Sequence, residues 1–273
     1  MKKIAGLTVR NIILAIFLIL NTFALLWIVM SSFKTNREIL SFAFSLPAEF
    51  SIRNYIRVFQ EPDLIRSFYN SMLVTGLSIT INALVCFICA YALSRYKFKF
   101  NKILTPVIAF GLLVPINSAL MPMKIVMDNL GLTNSILGLS ILYAAIGIPI
   151  STLVLRSHLN GIPNTIDEAA AIDGAGPTRI AFSIILPIAK PGLVTIMILQ
   201  AVYSWNEFLF ALTMISDQSN KTLQLIIRNF LGLFQANYGA LFASVVLATA
   251  PIIILFVIFQ KKVVEAFTSG AVK

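Results

Sequence analysis

Six long apolar stretches restrict this 273-residue chain to one kind of architecture. They lie roughly at 11–33, 67–94, 103–123, 134–155, 188–213 and 239–260. A membrane-spanning helix needs about 20 such residues, and none of the six alternates as a membrane β-barrel strand does. Inside a bilayer only helices and closed barrels satisfy their own backbone groups. The expected fold is an all-α integral membrane protein with six transmembrane helices, forming a single transmembrane domain over 1–273. Composition supports this: 58% of the residues are hydrophobic and 12% charged, and the mean hydropathy is +0.90. Soluble domains are about half apolar and a quarter charged.

Met1-Lys2-Lys3 ahead of an apolar run can also open a cleaved signal peptide. The run from Asn11 to Phe33 is too long for a signal core, and it has no clean small-x-small site. An uncleaved first span is expected. Charge then sets the orientation. Thirteen of the 21 Lys and Arg fall on one side: Lys2, Lys3, Arg10, Arg95, Lys97, Lys99, Lys102, Arg156, Arg179, Lys190, Lys261, Lys262 and Lys273. The remaining eight sit in the other connections, among the acids Glu38, Glu49, Glu61, Asp63, Asp128 and Asp217. Short basic loops stay in the cytoplasm, so both termini are expected there. The net charge of +10 is thereby a topology signal and requires no nucleic acid.

Several apparent motifs carry no chemistry. Cys86 and Cys89 form a C-x-x-C inside an apolar span, without the further ligands that a metal site needs. The only histidine, His158, falls at the end of the fourth span and suits a helix-end contact. No phosphate-binding G-x-x-x-x-G-K-[ST] loop is present, and no catalytic triad or carboxylate pair stands out. The chain is expected to be no enzyme, with no metal and no catalytic residue of its own.

The polar exception is Thr165-Ile166-Asp167-Glu168-Ala169-Ala170-Ala171-Ile172-Asp173-Gly174, between two very hydrophobic segments. Thr165 and Glu168 have the spacing of a capping box. Asp173-Gly174 reads as a helix stop, and Pro177 as the start of a second helix. Small Ala169, Ala170 and Ala175 would let another surface approach the backbone. The residues alone leave a docking element and a plain solvated hairpin both open.

Glu168-Ala169-Ala170, Gly174 and Ile184-x-Leu186-Pro187 resemble, in type and spacing, the EAA-loop signature of ABC importer permeases. Further stretches are similar to the maltose-type second permease subunit of the carbohydrate-importing branch: Asn70-Ser71, Ala90-Tyr91-Ala92-Leu93-Ser94-Arg95, Trp205-Asn206-Glu207-Phe208 and Gly270-Ala271-Val272-Lys273. The likeness covers roughly 10–273. Lys99, Ala266 and Lys124 depart from it, standing where glycine, glycine and an aromatic are usual.

The resemblance implies the ABC importer permease fold, with a cytoplasmic coupling helix in loop 163–187. It implies a permease subunit that passes a sugar, an oligosaccharide by preference, into the cytoplasm by alternating access. The partners implied are a second homologous permease subunit, two ATPase subunits and an external sugar-binding protein, within the lipid of a bacterial inner membrane. No cofactor is implied in this chain, since ATP and Mg belong to the ATPase. Glu168, Ala169, Ala170, Asp173, Gly174 and Ala175 would contact that ATPase, and so would Gly270, Ala271, Val272 and Lys273. Of the outer loops, 34–66 and 214–238, the second would reach into the binding protein; a plain connector is its alternative.

Glu207 is the one acidic residue inside a span, and intramembrane charges face a cavity or a partner. With Tyr203 and Asn206 beside it, and Asn82 and Asn117 elsewhere, it is a candidate for the substrate pathway. A structural or gating role for Trp205 and Glu207 is the competing reading. Ile52, Tyr55, Ile56 and Phe59 recur at helical spacing and predict an amphipathic helix along the outer interface. An ABC permease for a non-sugar solute, an ion-coupled secondary transporter and a membrane anchor without transport remain as alternatives.

Overall fold

The computed structural model describes the backbone over 2–96, 99–232 and 236–271, and side chains over 10–96, 99–232 and 236–260. Every regular element among these residues is helical. In chain order they begin with α1 (Lys2–Ser31), α2 (Asn36–Ser41), α3 (Arg53–Phe59), α4 (Leu64–Arg95), α5 (Asn101–Phe110), α6 (Leu120–Asn129) and α7 (Ile136–Asn160). They continue with α8 (Thr165–Ile172), α9 (Pro177–Arg179), α10 (Leu186–Ile188), α11 (Lys190–Asn206), α12 (Leu209–Met214), α13 (Leu223–Ile227) and α14 (Tyr238–Ala271). Four helices among the described residues are long and apolar enough to cross a membrane: Arg10–Ser31, Leu64–Arg95, Ile136–Asn160 and Tyr238–Gln260. A fifth candidate is the pair Pro177–Ile188 and Lys190–Asn206, bent by 76°.

The third and fifth apolar runs are not the unbroken helices that their length suggests. The third divides into α5, a turn at 111–115, a 3-10 segment Ile116–Ala119 and α6. Pro115 sits in extended backbone there, since it has no N–H to continue a helical ladder. The fifth stops at Glu207, whose ψ of 130° leaves the helical region, and resumes as α12. Upstream of α10 the chain takes a π-helical turn over Ile180–Ile185. Such turns adjust helix register and concentrate at functional sites.

One compact unit takes the residues up to Ile65 together with Leu223–Ile254. In it the end of α1 meets the start of α14. Trp27 packs edge-on to Phe242 at 5.1 Å, Asn36 Nδ2 donates to Ala236 O at 2.7 Å, and the Gly239 amide donates to Asn36 Oδ1 at 3.2 Å.

The second unit is built on Arg66–Thr222. Side chains of α4 donate to backbone carbonyls of α7 on successive turns: Ser78 Oγ to Ser140 O at 3.0 Å, Asn82 Nδ2 to Ala144 O at 2.9 Å, and Cys86 Sγ to Ile148 O at 3.8 Å. The separation is 62 residues in all three, so α4 and α7 run parallel. Between membrane helices no water-driven attraction exists, and each such bond contributes about 0.6 kcal/mol. α11 lies antiparallel to α7, with Gln200 Nε2 on Tyr143 O at 3.0 Å and Gly192 against the ring of His158. Where α7 crosses α11, a Cβ on Gly147 would overlap Gln200 Oε1, so the Gln200 side chain would have to shift.

Candidate functional site: the polar helix α8 and the break at Glu207

α8 is short, polar and closed by a reciprocal C-terminal cap. The Gly174 amide donates to Ala171 O at 3.0 Å and the Ala175 amide to Ala170 O at 2.9 Å. This is the Schellman arrangement, which needs a left-handed residue after the helix. Gly174 supplies it with φ +81°, and a Cβ there would meet nothing within 4 Å. The N-terminus differs from the sequence expectation. Asn164 is the cap residue, and no side-chain cap bond forms. The capping box of Thr165 and Glu168 is therefore absent, because Thr165 is already the first residue of the helix. Asp167 and Glu168 instead place negative charge in the first turn, where the helix dipole favours it.

The six residues expected to meet a partner divide by exposure. Glu168, Ala169, Asp173 and Gly174 are exposed, Ala175 is half-buried and Ala170 is buried. Ala170 packs inward among Phe87, Tyr91, Leu155, Leu159, Ile180 and Ile185. Ile172, absent from that set, is 86% exposed at the tip. An isoleucine so uncovered beside a glycine turn is the signal that the sequence reading passed over.

A clamp at the end of α4 fixes α8. Arg95 Nε lies 3.2 Å from Asp167 Oδ2, an ion pair not aligned as a hydrogen bond, with the two side chains 7% and 17% exposed. Its Nη1 donates to Ile162 O at 3.1 Å and to Asn164 Oδ1 at 2.6 Å. Tyr91 donates to Asp167 Oδ1 at 3.1 Å. A buried charge is tolerated when paired and hydrogen-bonded, and here the pairing joins the loop to a membrane helix. Sequence offered one usable sign of it: a basic residue at the end of an apolar run and an acid in the polar loop.

At the break after α11, Glu207 is half-buried and its carboxylate is fully engaged. It accepts from Tyr143 Oη at 2.6 Å and from the amides of Phe210 at 2.9 Å and Ala211 at 3.1 Å. It thus caps α12 and receives the hydroxyl of a fully buried tyrosine. Trp205, 3% exposed, packs edge-on to Phe68 at 5.6 Å. Tyr203 stands edge-on to Tyr143 at 6.0 Å. Asn206 is exposed, and its amide donates to Val202 O within its own helix. Asn82 is 1% exposed in the α4–α7 seam. Asn117 is exposed in the 3-10 segment. Tyr143, Tyr203 and Glu207 therefore come together; Asn82 lies beside Gln200 at Gly147, and Asn117 is apart in the 3-10 segment. Tyr143 and Gln200 belong to this polar region and were not foreseen, since each sits singly in an apolar run.

Residues 82–268 match the family model of the binding-protein-dependent transport system inner membrane component. The chain belongs to this family. The diacetylchitobiose uptake system permease protein NgcG of Streptomyces coelicolor is 32% identical over 248 residues, 90% of this chain and 82% of that protein. The multiple sugar-binding transport system permease protein MsmG of Streptococcus mutans is 32% identical over 275 residues, 99% of this chain and 96% of that protein. Among solved structures, a chain of a bacterial ABC transporter involved in the import of the acidic polysaccharide alginate superposes with a TM-score of 0.83 at 23% identity, over 95% of this chain and 96% of that one.

The segment of this permease that was expected to reach into a binding protein, or else to be a plain connector, is tied to the rest of its unit. The Ser216 and Asp217 amides donate to Asn134 Oδ1 at 3.0 and 2.8 Å, and Asn220 returns a bond to Asn134 O at 2.7 Å. Asn70 donates to Ser219 O and Lys221 O, both at 2.9 Å. Asn134 itself holds a left-handed φ of 56°, which asparagine tolerates better than most residues. The Ser219 amide on the Asp217 carboxylate keeps that group's pKa below the usual range. Beyond it, Leu223, Leu225, Ile226 and Ile227 are buried. Of the permease's tail, Gly270 and Ala271 continue the backbone of α14; their side chains, and Val272 and Lys273 altogether, lie outside the described residues.

Proposed function

We propose that the chain is the membrane subunit of an ATP-driven sugar importer and that α8 receives the force of an ATPase partner. The observation that carries this is the held yet uncovered coupling helix: Asp167 locked to Arg95 and Tyr91 on one side, with Glu168, Ala169, Ile172 and Asp173 free on the other. Relatives named for diacetylchitobiose and multiple sugars support a saccharide as the solute.

The topology we favour has six crossings with both termini cytoplasmic. Two parallel spanning helices, α4 and α7, require the chain between them to return across the bilayer, and α5, the turn and α6 are available for that crossing. The end of α1 beside the start of α14 supports termini on one side. In this reading the chain acts as one permease domain of a bacterial inner membrane, working with a second permease, two ATPase subunits and an external binding protein. ATP and Mg are held by the ATPase. Closure of the ATPase pair displaces α8, and rigid-body rocking of the bundle follows. Tyr203, Asn206 and Glu207 line or gate the pathway, with Asn82 and Asn117 as further candidates, and the tail from Gly270 to Lys273 touches the ATPase.

The test is reconstitution of the assembled complex in vesicles. ATP-dependent uptake of a labelled oligosaccharide, stimulated by liganded binding protein, is expected. ATP hydrolysis by this chain alone, or uptake driven by an ion gradient without ATP, would refute it. Uptake of a non-sugar solute only would leave the coupling assignment and remove the saccharide.

A further inference from the structure

The loop that follows α1 buries its lysine and turns aromatic rings outward. Lys34 is 1% exposed, and its ammonium donates to Phe42 O at 3.2 Å and Ala43 O at 3.0 Å. Trp27 Nε1 donates to the same Ala43 carbonyl at 2.7 Å. The Glu38 carboxylate accepts from the Thr35 amide at 2.8 Å and from the Ala48 amide at 2.9 Å. No charged residue occurs from Ile39 to Ala48. What faces outward is Phe42, Phe44, Leu46 and Phe50, between 67% and 78% exposed, followed by Ile52 just before α3 and by Ile56 and Phe59 on it.

A loop in water has its carbonyls hydrated and gains nothing by burying a lysine to serve them. A loop withdrawn from water must satisfy its backbone from within. The aromatic patch also continues the surface of α1, since Phe23 stacks on Phe44 with centroids 6.1 Å apart. That stretch of α1 carries no charged residue from Asn11 to Ser31, and none of its apolar window is buried by the rest of the chain. Exposed Arg37, Arg53 and Arg57 flank the patch, where phosphate headgroups would meet them. Aromatic rings beside basic residues are what the membrane interface selects.

We propose that residues 42–59 are a lipid-seated collar, lying in the headgroup and upper acyl layer of the leaflet where α1 emerges, with Phe42, Phe44, Leu46 and Phe50 inserted. Lipid, rather than a protein subunit, covers this patch. The inference rests on the permease reading only in that α1 crosses the bilayer.

The test is a nitroxide at Phe44→Cys, with Cys86→Ser and Cys89→Ala removing the native thiols. The variant is purified with its partner subunits and placed in vesicles of phosphatidylethanolamine and phosphatidylglycerol. Collision with dissolved oxygen and with a water-soluble nickel chelate is measured, taking Leu18→Cys in α1 as the lipid reference and Gln218→Cys as the aqueous one. The oxygen-to-nickel ratio at Phe44→Cys is expected about tenfold above that at Gln218→Cys, as exclusion of a charged chelate from apolar surroundings requires. A ratio equal to that at Gln218→Cys overturns the proposal in favour of a hydrated loop. Low collision with both reagents overturns it in favour of a covering protein. An aqueous reading at Leu18→Cys means that α1 does not span, and the collar fails with it. No nucleotide or solute is added, so failure of sugar transport leaves the measurement intact.

Discussion

The helix interruption at Gly174 and the one at Glu207 belong to the same unit and do opposite things. At Gly174 the backbone closes on itself through the amides of Gly174 and Ala175. Apart from Gly174 and its two chain neighbours, no atom of the described residues lies within 4 Å of where a side chain would project. At Glu207 the polar group turns inward, and its carboxylate closes α12 and takes the Tyr143 hydroxyl. One interruption presents a surface to something else, while the other consumes its polarity internally. A polar residue in an apolar sequence therefore does not say whom it serves; its partners in the fold do.

The largest effect is expected from Glu207→Ala. It removes a helix cap, typically about 1 kcal/mol, and strands a buried hydroxyl for about 1–3 kcal/mol more. Thermal unfolding of the purified complex should shift down markedly, and Glu207→Gln should recover part of the loss. If Glu207→Ala keeps its stability and changes only which solute is taken up, the carboxylate touches solute rather than holding the break, and the contrast with Gly174 collapses.

Gly174→Asp comes next, ranked by its effect on transport. A side chain at φ +81° costs about 1–2 kcal/mol, confined to the end of α8. Membrane insertion should persist while ATPase copurification and uptake fall. Retention of both at wild-type levels would show that the turn presents nothing.

Arg95→Ala tests whether the exposed edge must be held. It leaves Asp167 partly buried without its cation, a loss of about 1–3 kcal/mol. Hydrolysis should continue with fewer sugars moved per ATP, and Asp167→Asn should reproduce the defect by keeping the Tyr91 bond without the ion pair. Wild-type coupling ratios in both variants would mean that α8 needs no anchor.

The smallest effect on stability belongs to Glu168→Ala. Glu168 is exposed and caps nothing, so only its interaction with the helix dipole is lost, about 0.3–1 kcal/mol. Any larger consequence should show in affinity for the ATPase. A clear drop in melting temperature of the isolated chain would restore the capping role that the structure denies it.

How much of this was legible beforehand depends on the range of the interaction. The left-handed turn at Gly174 could be read directly, since Asp-Gly after a short polar helix is a local signal. The absence of the capping box could not, because Thr165 suits both the cap and the first helical position, and the choice depends on how Pro163 and Asn164 lead into α8. The Arg95–Asp167 clamp joins residues in different elements, so no local pattern announces it. Asn134, Tyr143 and Gln200 escaped notice for the same reason.

The amino-acid order by itself determined that the chain is a helical membrane protein with a polar loop closed by glycine, because apolar length and turn chemistry act between near neighbours. It did not determine that the third and fifth runs break. Length measures capacity to span, whereas a break at Pro115 or Glu207 depends on partners for the freed backbone groups. Only the tertiary structure decided which polar groups are satisfied within the fold and which remain outside. A hydrogen bond needs both of its atoms in place, and the second is often supplied by a helix 60 or more residues away, as Ala144 O is for Asn82.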